Sequence, residues 1–149
     1  MYLQDQERNA AYSFYLGYYI HLLTDIMWSS TIYMPTHTVY QKEYAKNPEF
    51  LKVIKEDWYD LDHKFLRDHP RFRAFELLEK KDSVRDYLPY YEKSQLTTQI
   101  RSIVDFYNEN RGKTTLDRVY PYLSEQMMNQ FIACANELIQ KQLIRVGVL

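Results

Sequence analysis

Turn-forming residues are scarce in this chain, and that scarcity limits what it can fold into more than any other feature. Its 149 residues include 3 glycines and 5 prolines. A sheet protein reverses direction every few residues and spends glycine and proline doing so, whereas long helices need few connections. A hydrophobic share of 46% with 26% charged residues is that of a globular protein, and the length suffices for one buried core. No internal repeat, low-complexity tract or flexible linker interrupts it. The expected fold is therefore all-α, a compact multi-helix bundle in a single domain over residues 1–149.

Apolar spacing places the helices. Asp5 to about Tyr33 reads as one long helix ending at Met34-Pro35. Phe14, Gly17, His21, Thr24 or Asp25, and Trp28 follow one stripe, and Leu16, Ile20, Leu23 and Met27 a neighbouring one. A helix apolar over so much of its circumference is expected to be buried at the centre of the bundle. Residues 34–47 read as a connection with a short helical piece near Val39 to Lys46. Asn47-Pro48 then opens a helix that turns Phe50, Leu51, Ile54, Trp58, Leu61 and Phe65 inward and stops before His69-Pro70. Arg71 to Lys80 forms a shorter helix, and Tyr87 to Tyr91 a loop around Pro89. Ser94 to about Asn110 is helical and ends at Gly112, and Leu116 to Tyr120 gives one further turn. Ser124 caps a last helix to about Leu143, with Met127, Met128, Phe131, Ile132, Ala135, Leu138 and Ile139 inside.

The charge balance narrows the function classes. With a formal net charge of −1 there is no basic excess to release counterions from nucleic acid, so no nucleic-acid partner is expected. Ala10 to Thr24, the least charged stretch, holds four tyrosines and a histidine and falls short of a membrane span, so no transmembrane segment is expected. The first ten residues do not read as a signal peptide. The single cysteine, Cys134, lies among apolar residues and reads as a buried thiol, which makes the cytoplasm the expected location. The 15 tyrosines suit half-buried faces, ligand clefts or a homo-oligomer interface.

Two groups of residues could carry chemistry. His21 and Asp25 are four apart on a helix, so an imidazole nitrogen and a carboxylate oxygen can reach one point; zinc, iron and manganese all accept that pair. The simpler reading is a histidine–aspartate hydrogen bond in the core. The second group is the run Glu56-Asp57-Trp58-Tyr59-Asp60-Leu61-Asp62-His63. Asp57 and Asp60 share a face on the flank of the apolar side. They are either a solvated acidic face or further ligands that complete the His21/Asp25 site, one of them serving as general base. His37 could fold back as another ligand, and His69 ends its helix. Arg67, Arg71 and Arg73 form a small basic group expected to pair with surface carboxylates.

The run Leu16-Gly17-Tyr18-Tyr19-Ile20-His21-Leu22-Leu23-Thr24-Asp25 resembles the histidine–aspartate helix of the zinc-dependent phospholipase C family. A looser resemblance continues through Asp57-Trp58-Tyr59-Asp60-Leu61-Asp62 and His69-Pro70. The resemblance implies that His21 and Asp25 are zinc ligands, that Asp57 or Asp60 belongs to the same site, and that the substrate is a small phosphoester. The chain departs from the family in having no histidine upstream of His21 and no histidine followed four residues later by glutamate. The expectation is a shortened or degenerate relative, or a piece lacking the upstream part, with one or two metals at most.

Two functions remain open at this point. One is a metal-dependent hydrolase-like protein acting through a metal-activated water. The other is a non-catalytic helical interaction or dimerisation domain that has lost the complete metal site.

Overall fold

The computed structural model describes residues 9–81, 85–88, 90, 92, 94–109 and 115–149. The expected helix start at Asp5, the loop proline Pro89, Tyr91 and the helix end at Asn110 and Gly112 lie outside the described residues.

Every regular element among the described residues is helical, as the shortage of turn residues implied. In chain order these are α1 (Ala10–Trp28), a π-helical turn (Ser29–Tyr33), α2 (Met34–Val39), α3 (Gln41–Lys46), α4 (Phe50–Asp68), α5 (Arg73–Glu79), α6 (Gln95–Glu109) and α7 (Glu125–Arg145). Residues 116–120, expected to add a helical turn, are irregular. None of the helices is long and apolar enough to cross a membrane.

The chain packs as two units, Met1–Lys55 with Tyr120–Leu149, and Glu56–Val119. In the first, α1 starts where the Asn9 side chain accepts from the Tyr12 backbone N–H at 3.0 Å. The helix does not stop at Met34-Pro35. It widens by one residue instead, the Met34 N–H bonding to the Ser29 carbonyl five residues back. Pro35 therefore enters where the hydrogen-bond ladder is already changing register, so its missing N–H disrupts little. The Ser30 and Thr31 hydroxyls both donate to the Met27 carbonyl, at 3.1 and 2.7 Å, keeping that acceptor satisfied across the widened turn.

The expected burial of the first helix does not follow. Of α1 only Tyr12 is buried, and Ile26 is 66% exposed. A helix apolar on all sides offers no preferred face, and this one uses only the side that meets α7, where Trp28 meets Phe131 edge to face at 5.0 Å. The core of the first unit is built instead from Ile32, Phe50, Ile54, Tyr120, Leu123, Ala135 and Leu143. Tyr40, Tyr44 and Tyr122 close around Phe50, with centroids 5.2 to 6.0 Å apart.

Cys134 is exposed, not buried. The side of α7 that goes inward carries Phe131, Ala135 and Leu143, and Cys134 lies off that line beside Met127 and Leu138, which are exposed as well.

The second unit is organised by the later part of α4, by α5 and α6, and by the segment 115–119. Leu61, Phe75 and Leu116 are its buried apolar residues, joined by His63 and Asp57. Asp57 was expected on the flank of the apolar face. It sits in the middle of the buried stripe Phe50, Ile54, Asp57 and Leu61, whereas Phe65, expected inside, is 39% exposed.

Candidate functional site

His21 and Asp25 meet as their spacing requires. One turn of α1 separates them, and His21 Nε2 lies 3.3 Å from Asp25 Oδ2. Both side chains face outward, at 63% and 60% exposure, so the pair is not the core hydrogen bond that the simpler reading supposed. The Tyr18 ring lies 6.5 Å from the imidazole. Gly17, one turn earlier, leaves open space where a side chain would project.

The separation of the two donors suits a metal. Nitrogen and oxygen ligands held about 2.0 to 2.2 Å from a tetrahedral zinc are about 3.3 to 3.5 Å from each other. The observed 3.3 Å falls in that range, and it is equally the distance of a direct imidazole–carboxylate contact. A shared face does not make a full site: no group of three or more histidine, cysteine, aspartate or glutamate side chains able to hold a metal ion occurs among the described residues.

Asp57 and Asp60, three apart on α4, also converge, but on a cation of the protein's own. Arg118 places Nη1 2.7 Å from Asp57 Oδ1, Nη2 2.9 Å from Asp60 Oδ2, and Nε 3.0 Å from the same Asp60 oxygen. Its Nη1 also donates to the Val119 carbonyl at 3.1 Å. The Asp57 side chain is 3% exposed and that of Asp60 18%. The acidic face is thus not solvated. The guanidinium occupies carboxylate lone pairs that a metal or a transferred proton would need, so either role for these residues competes directly with Arg118.

Nothing in the sequence singled out Arg118. The available signal was two carboxylates one turn apart beside an apolar stripe, which require a partner if buried. The same short segment makes a second anchor. Arg67 grips Asp117 through two nitrogens at 2.8 and 3.0 Å, and Lys64 approaches it at 3.3 Å. The hydrogen bonds from Arg67 and Lys64 draw the Asp117 carboxyl down to about 2.

A third acidic residue of the run is used differently. Asp62 accepts from the Tyr107 hydroxyl at 2.7 Å. Burial raises the Asp62 pKa above its ordinary value, and the Tyr107 hydrogen bond offsets part of that rise. Burial and the neighbouring carboxylate push the Tyr107 hydroxyl upward too. His63 is buried against the Phe106 and Tyr107 rings, at 5.2 and 5.1 Å.

The remaining candidates have structural surroundings. His37 packs against Tyr44 at 4.5 Å and Tyr33 at 6.1 Å. His69 stacks on Phe65 at 4.2 Å, and its Nδ1 is 2.9 Å from the Phe65 carbonyl, in keeping with its place at the end of α4. Of the three arginines expected to pair with carboxylates, Arg67 does so. Arg71 and Arg73 are exposed and have no ion-pair partner among the described residues.

No family model, curated protein or solved structure matches the chain.

Proposed function

We propose that the protein is a metal-dependent hydrolase-like domain of the zinc-dependent phospholipase C type, acting on a small phosphoester. The observation that carries this reading is the 3.3 Å approach of His21 Nε2 to Asp25 Oδ2 on an open helix face. The resemblance of the surrounding run supplies the reaction class. His21 and Asp25 would hold zinc, and a bound zinc would lower the pKa of a coordinated water toward neutrality and polarise a phosphoryl oxygen. Their exposure leaves the remaining coordination positions accessible to water, substrate or further ligands. Tyr18, its ring 6.5 Å from the imidazole, would line the substrate's approach. Asp57 and Asp60 join this reading, as further ligands or as general base, only in a state in which Arg118 has released them.

Metal content measured by plasma mass spectrometry, on untagged protein purified without chelator, tests the reading. It requires about one or more zinc per chain, lost in a His21→Ala/Asp25→Ala variant whose circular dichroism is unchanged. Protein that takes up no zinc, even on reconstitution, would end it.

A second reading is favoured by a separate observation. Tyr15, Tyr18, Leu22 and Ile26 leave one side of α1 apolar and between 38% and 66% exposed. A non-catalytic interaction or homo-oligomerisation domain would use that side. It predicts association that His21→Ala leaves intact and that Leu22→Glu abolishes. A cytoplasmic location goes with either reading, since exposed Cys134 has no disulfide partner in the chain.

A further inference from the structure

The cations of the second unit are unequally engaged. Lys64 and Arg67 are held by Asp117, Arg118 by Asp57 and Asp60, and Arg85 lies over the Tyr87 ring at 5.0 Å. Arg71, Arg73 and Lys80 have no ion pair or side-chain hydrogen bond with any described residue. All three belong to one short stretch of chain, on and beside α5.

These three also share one place. Arg71, Arg73, Glu76, Leu77 and Lys80 line a shallow depression of about 440 Å³. The helical repeat explains the arrangement: Arg73, Leu77 and Lys80 fall on one stripe of α5, while Phe75, on another side, is buried. Among the described residues Glu76 is the only carboxylate of the lining, beside three cations, and Leu77, 51% exposed, forms its apolar wall.

We infer that this depression is an anion site for a phosphate group, separate from the His21/Asp25 pair. Arginine suits a phosphate better than a simple halide, because its planar fork offers two parallel N–H donors to two oxygens. Two arginines and one lysine around one shallow bowl can surround a tetrahedral anion from several directions. The excess of cations over Glu76 supplies the attraction. The apolar wall at Leu77 fits the carbon of an organic phosphate beside its charged head. A phosphate in solution and a phosphate at a lipid surface present the same chemistry to these side chains. The inference does not depend on the metal reading, since it uses none of that pair's residues.

The test is a titration of the full chain with inorganic phosphate, followed by the arginine side-chain N–H and Leu77 methyl resonances, at constant ionic strength set with chloride. Saturable shifts confined to Arg71, Arg73 and Leu77 are expected. Arg71→Gln/Arg73→Gln should weaken the affinity at least fivefold, and Glu76→Gln should strengthen it. Co-sedimentation with phosphatidylcholine vesicles, with and without phosphatidic acid, forms the second arm. Vesicle binding that needs phosphatidic acid and follows the same variants assigns the phosphate to a lipid; phosphate shifts without vesicle binding assign it to a solute. Shifts that chloride reproduces, no response in either arm, or responses indifferent to all three substitutions would overturn the inference. Arg71 and Arg73 are exposed and Glu76 is half-buried, and an unaltered spectrum elsewhere establishes that the fold is kept in each variant.

Discussion

At the scale of single residues the strongest commitment in the second unit is Arg118. It holds Asp57, whose side chain is 3% exposed, and so keeps a carboxylate inside an otherwise apolar stripe. Removing one partner of such a pair leaves the other charged and dry, which costs more than the pair itself contributes. Arg118→Met is therefore expected to lower the unfolding free energy by about 3 kcal/mol in urea titrations. Adding Asp57→Asn should recover part of that loss, because an amide costs less to bury than an anion. A double variant as unstable as the single one would show that Asp57 does not carry the penalty. Asp62 makes stability depend on pH. Its folded pKa is raised above the ordinary 3.8, so the folded state binds the proton more tightly than the unfolded chain. The associated stability is complete below 3.8 and is lost as pH rises through the folded value. Asp62→Asn keeps an acceptor for Tyr107 and removes the charge. It should be more stable than the parent at pH 7, with an advantage that shrinks toward pH 4, measured as the difference between paired denaturant curves.

At the scale of elements, caps and packing contribute separately. The Ser124 hydroxyl accepts the Met127 backbone N–H at 3.2 Å and starts α7, so Ser124→Ala should cost about 1 kcal/mol, read as a lowered urea midpoint with unchanged slope. Ile54 in α4 is fully buried, and Ile54→Ala should cost about 3 kcal/mol by the same measurement. Helix existence was legible because it rests on local terms: Ser124 as a cap, few turn residues, and periodic apolar positions. Asn47-Pro48, read as a helix start, forms a turn ahead of α4, which begins at Phe50. Helix continuity past Met34-Pro35 was not. A proline ordinarily breaks the ladder, and only a one-residue change of register, supported by the Ser30 and Thr31 hydroxyls on the Met27 carbonyl, carries the chain through it. The facing of α1 was illegible for a related reason. An apolar residue in every direction gives a periodicity analysis no side to choose.

At the scale of the whole molecule the near balance of charge has a solution consequence. The isoelectric point of about 6.4 and the exposed apolar side of α1 should make association strongest near that pH. Light scattering is expected to peak between pH 6 and 7 and to fall at pH 8.5. By itself the sequence determined the helical class, most helix positions and the meeting of His21 with Asp25, because each follows from contacts within a few residues. Tertiary structure alone decided which faces are inside and what the acidic run does. Arg118 lies 61 and 58 residues from Asp57 and Asp60, and Asp117 lies 50 from Arg67. No local pattern carries a pairing over that distance. The choice between a solvated carboxylate, a metal ligand and one half of a buried ion pair depends on which cation arrives, and folding alone brings it there.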